Sequence, residues 1–325
     1  MARSLLRHFI YMHQWFRKGN ARRFHRVDMP VRYFILPSSP LEARDIYTSG
    51  ANYFPQTTVN ELETLKLHTL DSLNRIQDQR ELILAIVEQI MADIEFYGDC
   101  LKKISNGEHP KKDPNYWLQI NQKLDGFTAI ESIKKSSPKT HQYFKMIEEK
   151  YLRFMNALVH SINNSDRDNF AVQGHLPFGF KLDEIMTVFS QPKFAKIPLI
   201  QTIRHLSEYL EGYLAVHRLV NDDNYLSDFP QEWPLNMVNL SASGIAVIMK
   251  KRLTMYSKVN VYLYFEEHDK TLNFEGTVVD LREIQEEFNE RIAVNFEFPN
   301  GNDQNFLQQE IQKQEVKECM QFSFF

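Results

Sequence analysis

Hydrophobic residues recur along this chain in two periods, and the change from one to the other divides it. Over 27–36, Val27, Met29, Val31, Tyr33 and Ile35 alternate with Asp28, Arg32 and Phe34, a period of two that predicts a strand. Pro30 within that run predicts an edge or a bulge, because proline cannot donate to a ladder. The same alternation returns near the other end. Ile245, Val247 and Met249 alternate with Ala246, Ile248 and Lys250, and Val259, Val261, Leu263 and Phe265 alternate with Asn260, Tyr262, Tyr264 and Glu266. Further runs are Leu272, Phe274, Gly276, Val278 and then Ile292, Val294, Phe296, Phe298. Short alternating strands at this density predict a small antiparallel barrel.

Between these regions the period is helical. Ile76, Arg80, Ile83, Val87, Ile90, Ile94, Tyr97, Leu101 and Ile104 follow alternating steps of four and three, the seam of a left-handed coiled coil with one charged exception. With Val59, Leu62, Leu70 and Leu73 upstream, the pattern predicts a rod from Val59 to Ile104 about 65–70 Å long. Its seam is expected to need partners, within the chain or from other copies. Asn106-Gly107 and Pro110 end it. A shorter helix is expected over Asn115–Ile133, a third stripe runs through Tyr143, Ile147, Tyr151, Phe154, Leu158 and Ile162, and a fourth from Leu199 to Val220. Residues 3–18 can form an amphipathic helix, expected to pack on a neighbouring domain rather than on a membrane, and Asn302–Lys317 is expected to be a closing helix.

Composition narrows the classes. The chain has 325 residues, 43% hydrophobic and 13% aromatic, enough for two cored domains. A net charge of −4 argues against a globally basic binder of nucleic acid polymers. Two cysteines, Cys100 and Cys319, make neither a disulfide framework nor a metal spacing, which suits a cytoplasmic protein. No apolar run is long enough to span a bilayer, and the basic, uncleavable start is not read as a secretory signal. Gly174 and Gly179 imitate a phosphate loop, but Phe180 stands where lysine is needed. The scattered histidines form no metal motif, and no nucleophile and base pair off, so no enzyme is predicted.

Two short motifs carry the candidate chemistry. Asn239-Leu240-Ser241-Ala242-Ser243-Gly244 is expected to form a tight polar corner between strands, where Gly244 permits a positive φ. Arg22-Arg23-Phe24-His25-Arg26 directly precedes the first strand. An Asn-x-Ser-x-x-Gly corner with an Arg-x-x-x-Arg stretch before the first barrel strand resembles the PilZ domain family. Here the helical region intervenes between them, as in relatives with inserted helices.

The resemblance implies an α+β protein: a PilZ-like barrel from 21–36 and 229–300, a helical insertion over 57–226, an N-terminal helix over 1–20, and a C-terminal helix and tail over 301–325. It also implies binding of cyclic di-GMP as ligand, with no further cofactor. Arginine forks suit phosphate and guanine. On that basis Arg22 and Arg26 hold the dinucleotide with Arg23 as helper, Asn239 faces a guanine edge, Ser241 donates, and Gly244 lets the backbone approach. The arm would close over the ligand, and the helices would assemble copies of the chain and act on a downstream protein. The alternative is a helical oligomeric scaffold whose barrel binds no nucleotide.

Overall fold

The structure, a computed structural model, describes residues 26–250, 253–284, 289–297 and 301–322. The N-terminal helix expected over 3–18, Arg22, Arg23 and the final aromatic tail lie outside the described residues. Six strands, β1 (Val27–Pro37), β2 (Leu235–Ser241), β3 (Gly244–Met249), β4 (Lys258–Phe265), β5 (Lys270–Ile284) and β6 (Asn289–Glu297), close into an antiparallel barrel in the order β1-β2-β3-β6-β5-β4. The chain is α+β, and its barrel is split by a helical insertion.

β1 is the strand that closes the barrel. Its first half pairs with β2, from Val27↔Leu240 to Arg32↔Leu235, and its second half pairs with β4, from Arg32↔Tyr264 to Pro37↔Val259. Pro30 lies opposite Met237, before the β4 pairing begins, so its missing N–H falls on a locally unpaired edge. Val27, Met29, Val31, Tyr33 and Ile35 point into the barrel core, where the closing helix adds Leu307 and Ile311. β5 runs on to Ile284 through a bulge between Val278 and Asp280, which breaks the alternation that would have revealed its full length in the sequence.

The insertion is a bundle of six α-helices among the described residues: α1 (Gln56–Asn74), α2 (Arg80–Ser105), α3 (Tyr116–Leu124), α4 (Pro138–Asn164), α5 (Lys181–Phe189) and α6 (Pro198–Tyr225); α7 (Gly301–Phe322) is the closing helix. The continuous rod is not formed. The chain turns over 75–79, with Gln79 at φ 52°, and α2 starts at Arg80. A charge on the apolar seam marked the end of one helix and the beginning of another. Gly126, at φ 82°, likewise separates α3 from a 3-10 turn over Thr128–Ile133 where one helix was expected. Helix α5 escaped the hydrophobic pattern because it is only nine residues long.

The seam on α2 is filled within the chain. Ile83, Val87, Ile90, Ile94, Tyr97, Leu101 and Ile104 are all buried in one core with α4 and α6 residues such as Phe154, Leu210 and Leu214. Gly98 makes the α2–α6 crossing possible: a Cβ there would lie 2.2 Å from the Tyr213 ring. At the centre, the Tyr97 hydroxyl and His217 Nδ1 share a hydrogen bond of 2.5 Å. Burial first, and Arg218 second, pull the His217 pKa down to about 3.

The sign follows from linkage. Below an ordinary histidine pKa of about 6.5 the unfolded chain takes up a proton that folded His217 refuses, so stability falls as pH drops from there toward 3. His217→Gln, which keeps a hydrogen-bonding group beside Tyr97, is expected to lose less stability than wild type between pH 7 and pH 5 in urea melts. Parallel losses in the two proteins would contradict the neutral buried imidazole.

Candidate functional site

The register of β1 on β2 sets Asp28 directly opposite Asn239, and β3 sets Ala246 on the other side of Asn239. All three alternate with core residues, so they share the outer face of the barrel. One residue before β1, Arg26 donates from Nη1 to Asn239 Oδ1 at 3.3 Å. Asn239 Nδ2 in turn donates to Asp28 Oδ1 at 2.8 Å. The Asn239 amide is thereby oriented, oxygen toward the arginine and NH2 toward the carboxylate. Residues separated by the whole insertion meet in one polar row.

The row continues across small side chains. Ala246 pairs with Ala293 of β6, and beyond it Asp280 of β5 accepts from Arg291 at 3.5 Å and from Arg282 at 2.8 Å. Beside this row Met237 and Ile248 are more than half exposed, apolar surface next to hydrogen-bonding groups. Such a face offers carboxylate and amide acceptors, guanidinium donors and flat apolar ground, the elements that recognise a charged ring compound.

The other motif residues serve the turn. Ser241 is buried; its hydroxyl donates to Gly244 O at 3.1 Å and accepts from Ser243 N at 3.4 Å. Gln304 of α7 reaches Ala242 O at 3.3 Å and Ser243 O accepts from Phe296 N at 2.9 Å, which anchors the hairpin from both sides. Gly244 does not take a positive φ. Its glycine is needed because a Cβ would stand 2.4 Å from Val294 O, so the close approach it permits is to β6. Sequence reasoning missed Asp28 as the partner of Asn239. The alternation put it on the outward face, but only the register identifies what it touches.

Residues 220–313 match the family model for the PilZ domain. The matched part of the barrel is thus similar to a PilZ domain. The matched segment begins inside α6 and ends inside α7, so it contains β2 to β6 and leaves out β1, the strand that the insertion has carried away in sequence. PilZ domains form a cyclic di-GMP receptor family. Solved structures similar to the chain include the Bacillus subtilis inhibitor of motility (MotI/DgrA), at 20% identity and a TM-score of 0.23, covering 27% of this chain and 44% of that one. The chain thus spans under half the length of that relative. No curated protein matches it.

Elsewhere on the barrel, Glu267, His268 and Glu310 bring ligand-type atoms within 4.8 Å of one another. Lys313 and Lys317 already pair with Glu310 and Glu267, and His268 Nε2 lies 3.1 Å from Glu310, so the group works as a clamp between α7 and the β4–β5 hairpin. No helix among the described residues is long and apolar enough to cross a membrane.

Gly244→Ala is expected to cost about 1–3 kcal/mol, because β6 backbone must move to admit the methyl group. Urea denaturation followed by circular dichroism measures it. A neutral substitution would mean that the β3–β6 approach is looser than described.

Proposed function

We propose that this protein is a cyclic di-GMP receptor that binds the dinucleotide on the outer face of its PilZ barrel. The observation that carries the reading is the contact of Arg26 with Asn239, which joins the two motifs on one surface although the helical insertion separates them. Arg22, Arg23 and Arg26 supply cationic forks for the phosphates and for guanine O6 and N7. Asn239, already polarised between Arg26 and Asp28, presents its amide to a guanine edge. Ser241 and Gly244 hold the hairpin that positions it. Their part is to shape the corner, since the Ser241 hydroxyl is buried and engaged.

In this reading the arginine arm closes on the ligand and alters how β1 and the attached bundle present themselves to a downstream protein in the cytoplasm. The filled α2 seam shifts any self-association to other helical surfaces. The protein is a receptor and not an enzyme, it needs no metal, and its ligand is a dinucleotide and not a nucleic acid polymer.

Isothermal calorimetry with cyclic di-GMP tests the reading. Wild type is expected to bind saturably, and Arg26→Ala to weaken binding about tenfold or more, the loss of one charge-assisted hydrogen-bonding group. Absence of heat in wild type, or equal affinities, would leave the helical scaffold with a silent barrel. Light scattering with and without ligand reports in the same samples whether assembly responds.

A further inference from the structure

Away from the barrel, three segments meet in a corner: the connector that follows β1 at 41–47, the turn after α2 at 107–112, and the loop after α4 at 166–168. Backbone bonds staple them. Asp45 N donates to Gly107 O at 2.7 Å, and Tyr47 N donates to Asp166 O at 2.8 Å. Gly107 is at φ 77°, and a Cβ there would come within 2.9 Å of Arg44 Cβ. The corner is therefore a fixed frame rather than three independent loops.

Beside the frame lies an open surface cleft of about 450 Å³ lined by Arg44, Asp45, His109, Lys111, Lys112 and Arg167. Four cations and one carboxylate line it, and Asp168 lies 3.8 Å from Arg44. Like charges gathered at a concave surface repel one another, and such an arrangement raises the local potential for an anion.

The two arginines are oriented by backbone carbonyls. Arg44 Nε donates to Arg167 O at 2.7 Å, and Arg167 Nη2 donates to Glu42 O at 3.2 Å. Arg44 Nη1 also donates to Leu41 O and its Nη2 faces Asp168; a guanidinium has five N–H donors, so each arginine still keeps donors beyond those bonds. His109 accepts from Lys111 N on Nδ1 at 3.3 Å, which leaves its other ring nitrogen as a donor. Burial and then Lys111 hold its pKa below the ordinary histidine value, so it donates as a neutral ring.

We propose that this corner binds a phosphate-bearing small molecule, its phosphate held by Arg44 and Arg167 and its charge neutralised by Lys111 and Lys112. Two guanidiniums, two ammoniums and a ring N–H exceed what the two oxygens of a carboxylate can use, and they match the three or four oxygens of a phosphate. Asp45, bonded to Lys112 at 2.5 Å, occupies part of the charge an incoming phosphate would take. Trp117, exposed and 5.7 Å from Lys111 Nζ, stands beside the site as an optical reporter. The site is separate from the barrel face and does not depend on cyclic di-GMP binding there.

The test is calorimetric titration of the full chain with sodium pyrophosphate at low ionic strength, with Trp117 fluorescence as a second readout. Saturable binding is expected in wild type and unchanged in Arg26→Ala. Arg167→Ala and Lys111→Ala should each weaken it about tenfold. Asp45→Asn should tighten it several-fold, a gain that misfolding cannot imitate. The proposal is overturned if wild type shows no saturable heat, if Arg167→Ala and Lys111→Ala bind as wild type does, or if Asp45→Asn fails to tighten binding.

Discussion

The molecule depends on the pairing of one strand. β1 lies against β2 for its first half and against β4 for its second, and this change of partner at Arg32 is what closes the sheet. Without it β2 and β4 would each present an open edge, a template for unwanted association. The long separation of β1 from β2 in sequence costs little beyond that of an ordinary long loop, since closure entropy grows only by about 0.6 kcal/mol per doubling of length. Here the intervening chain is also folded, so its ends are already held.

The outward side of the same strand carries two chemistries. At its start Asp28 faces Asn239, with Arg26 adjacent. Toward its end Phe34 stacks on Trp233 with ring centroids 5.8 Å apart, and Tyr262 and Tyr264 join them. Trp233 is fully buried, its ring N–H donating at 2.5 Å to Leu226 O just past α6, and its own carbonyl accepts from Arg32 Nη1 at 2.5 Å. That cluster fastens the end of the bundle to the barrel. From Asp28 to Phe34 is about 20 Å along the strand. A ligand that reorders the polar end therefore acts on the element that also carries the bundle's attachment.

Much of this was legible in the sequence, for identifiable reasons. Barrel strands with one buried face give clean alternation, so Val27 to Ile35 and Val259 to Phe265 announced both their type and their inward residues. The split was legible because an isolated strand has nothing to pair with. What the sequence hid were facts of register and proximity. The helical seam has the same pattern whether its partner is another copy or another part of the chain, and only the packing of α2 against α4 and α6 decides it. Arg80 looked like a tolerated charge and was a helix start. Gly244 looked like a turn glycine, whereas the constraint on it comes from Val294 O on a strand about fifty residues away. Asp28 could be placed on a face but not beside Asn239.

The central claim is that Arg26 and Asn239 act as one site because β1 pairing makes them neighbours. A double-mutant cycle on cyclic di-GMP affinity, with Arg26→Ala, Asn239→Ala and the pair, tests it most directly. The account predicts non-additive losses, with a coupling of about 1 kcal/mol or more, as for residues in contact. Strictly additive losses would contradict it and separate the two motifs into independent surface features.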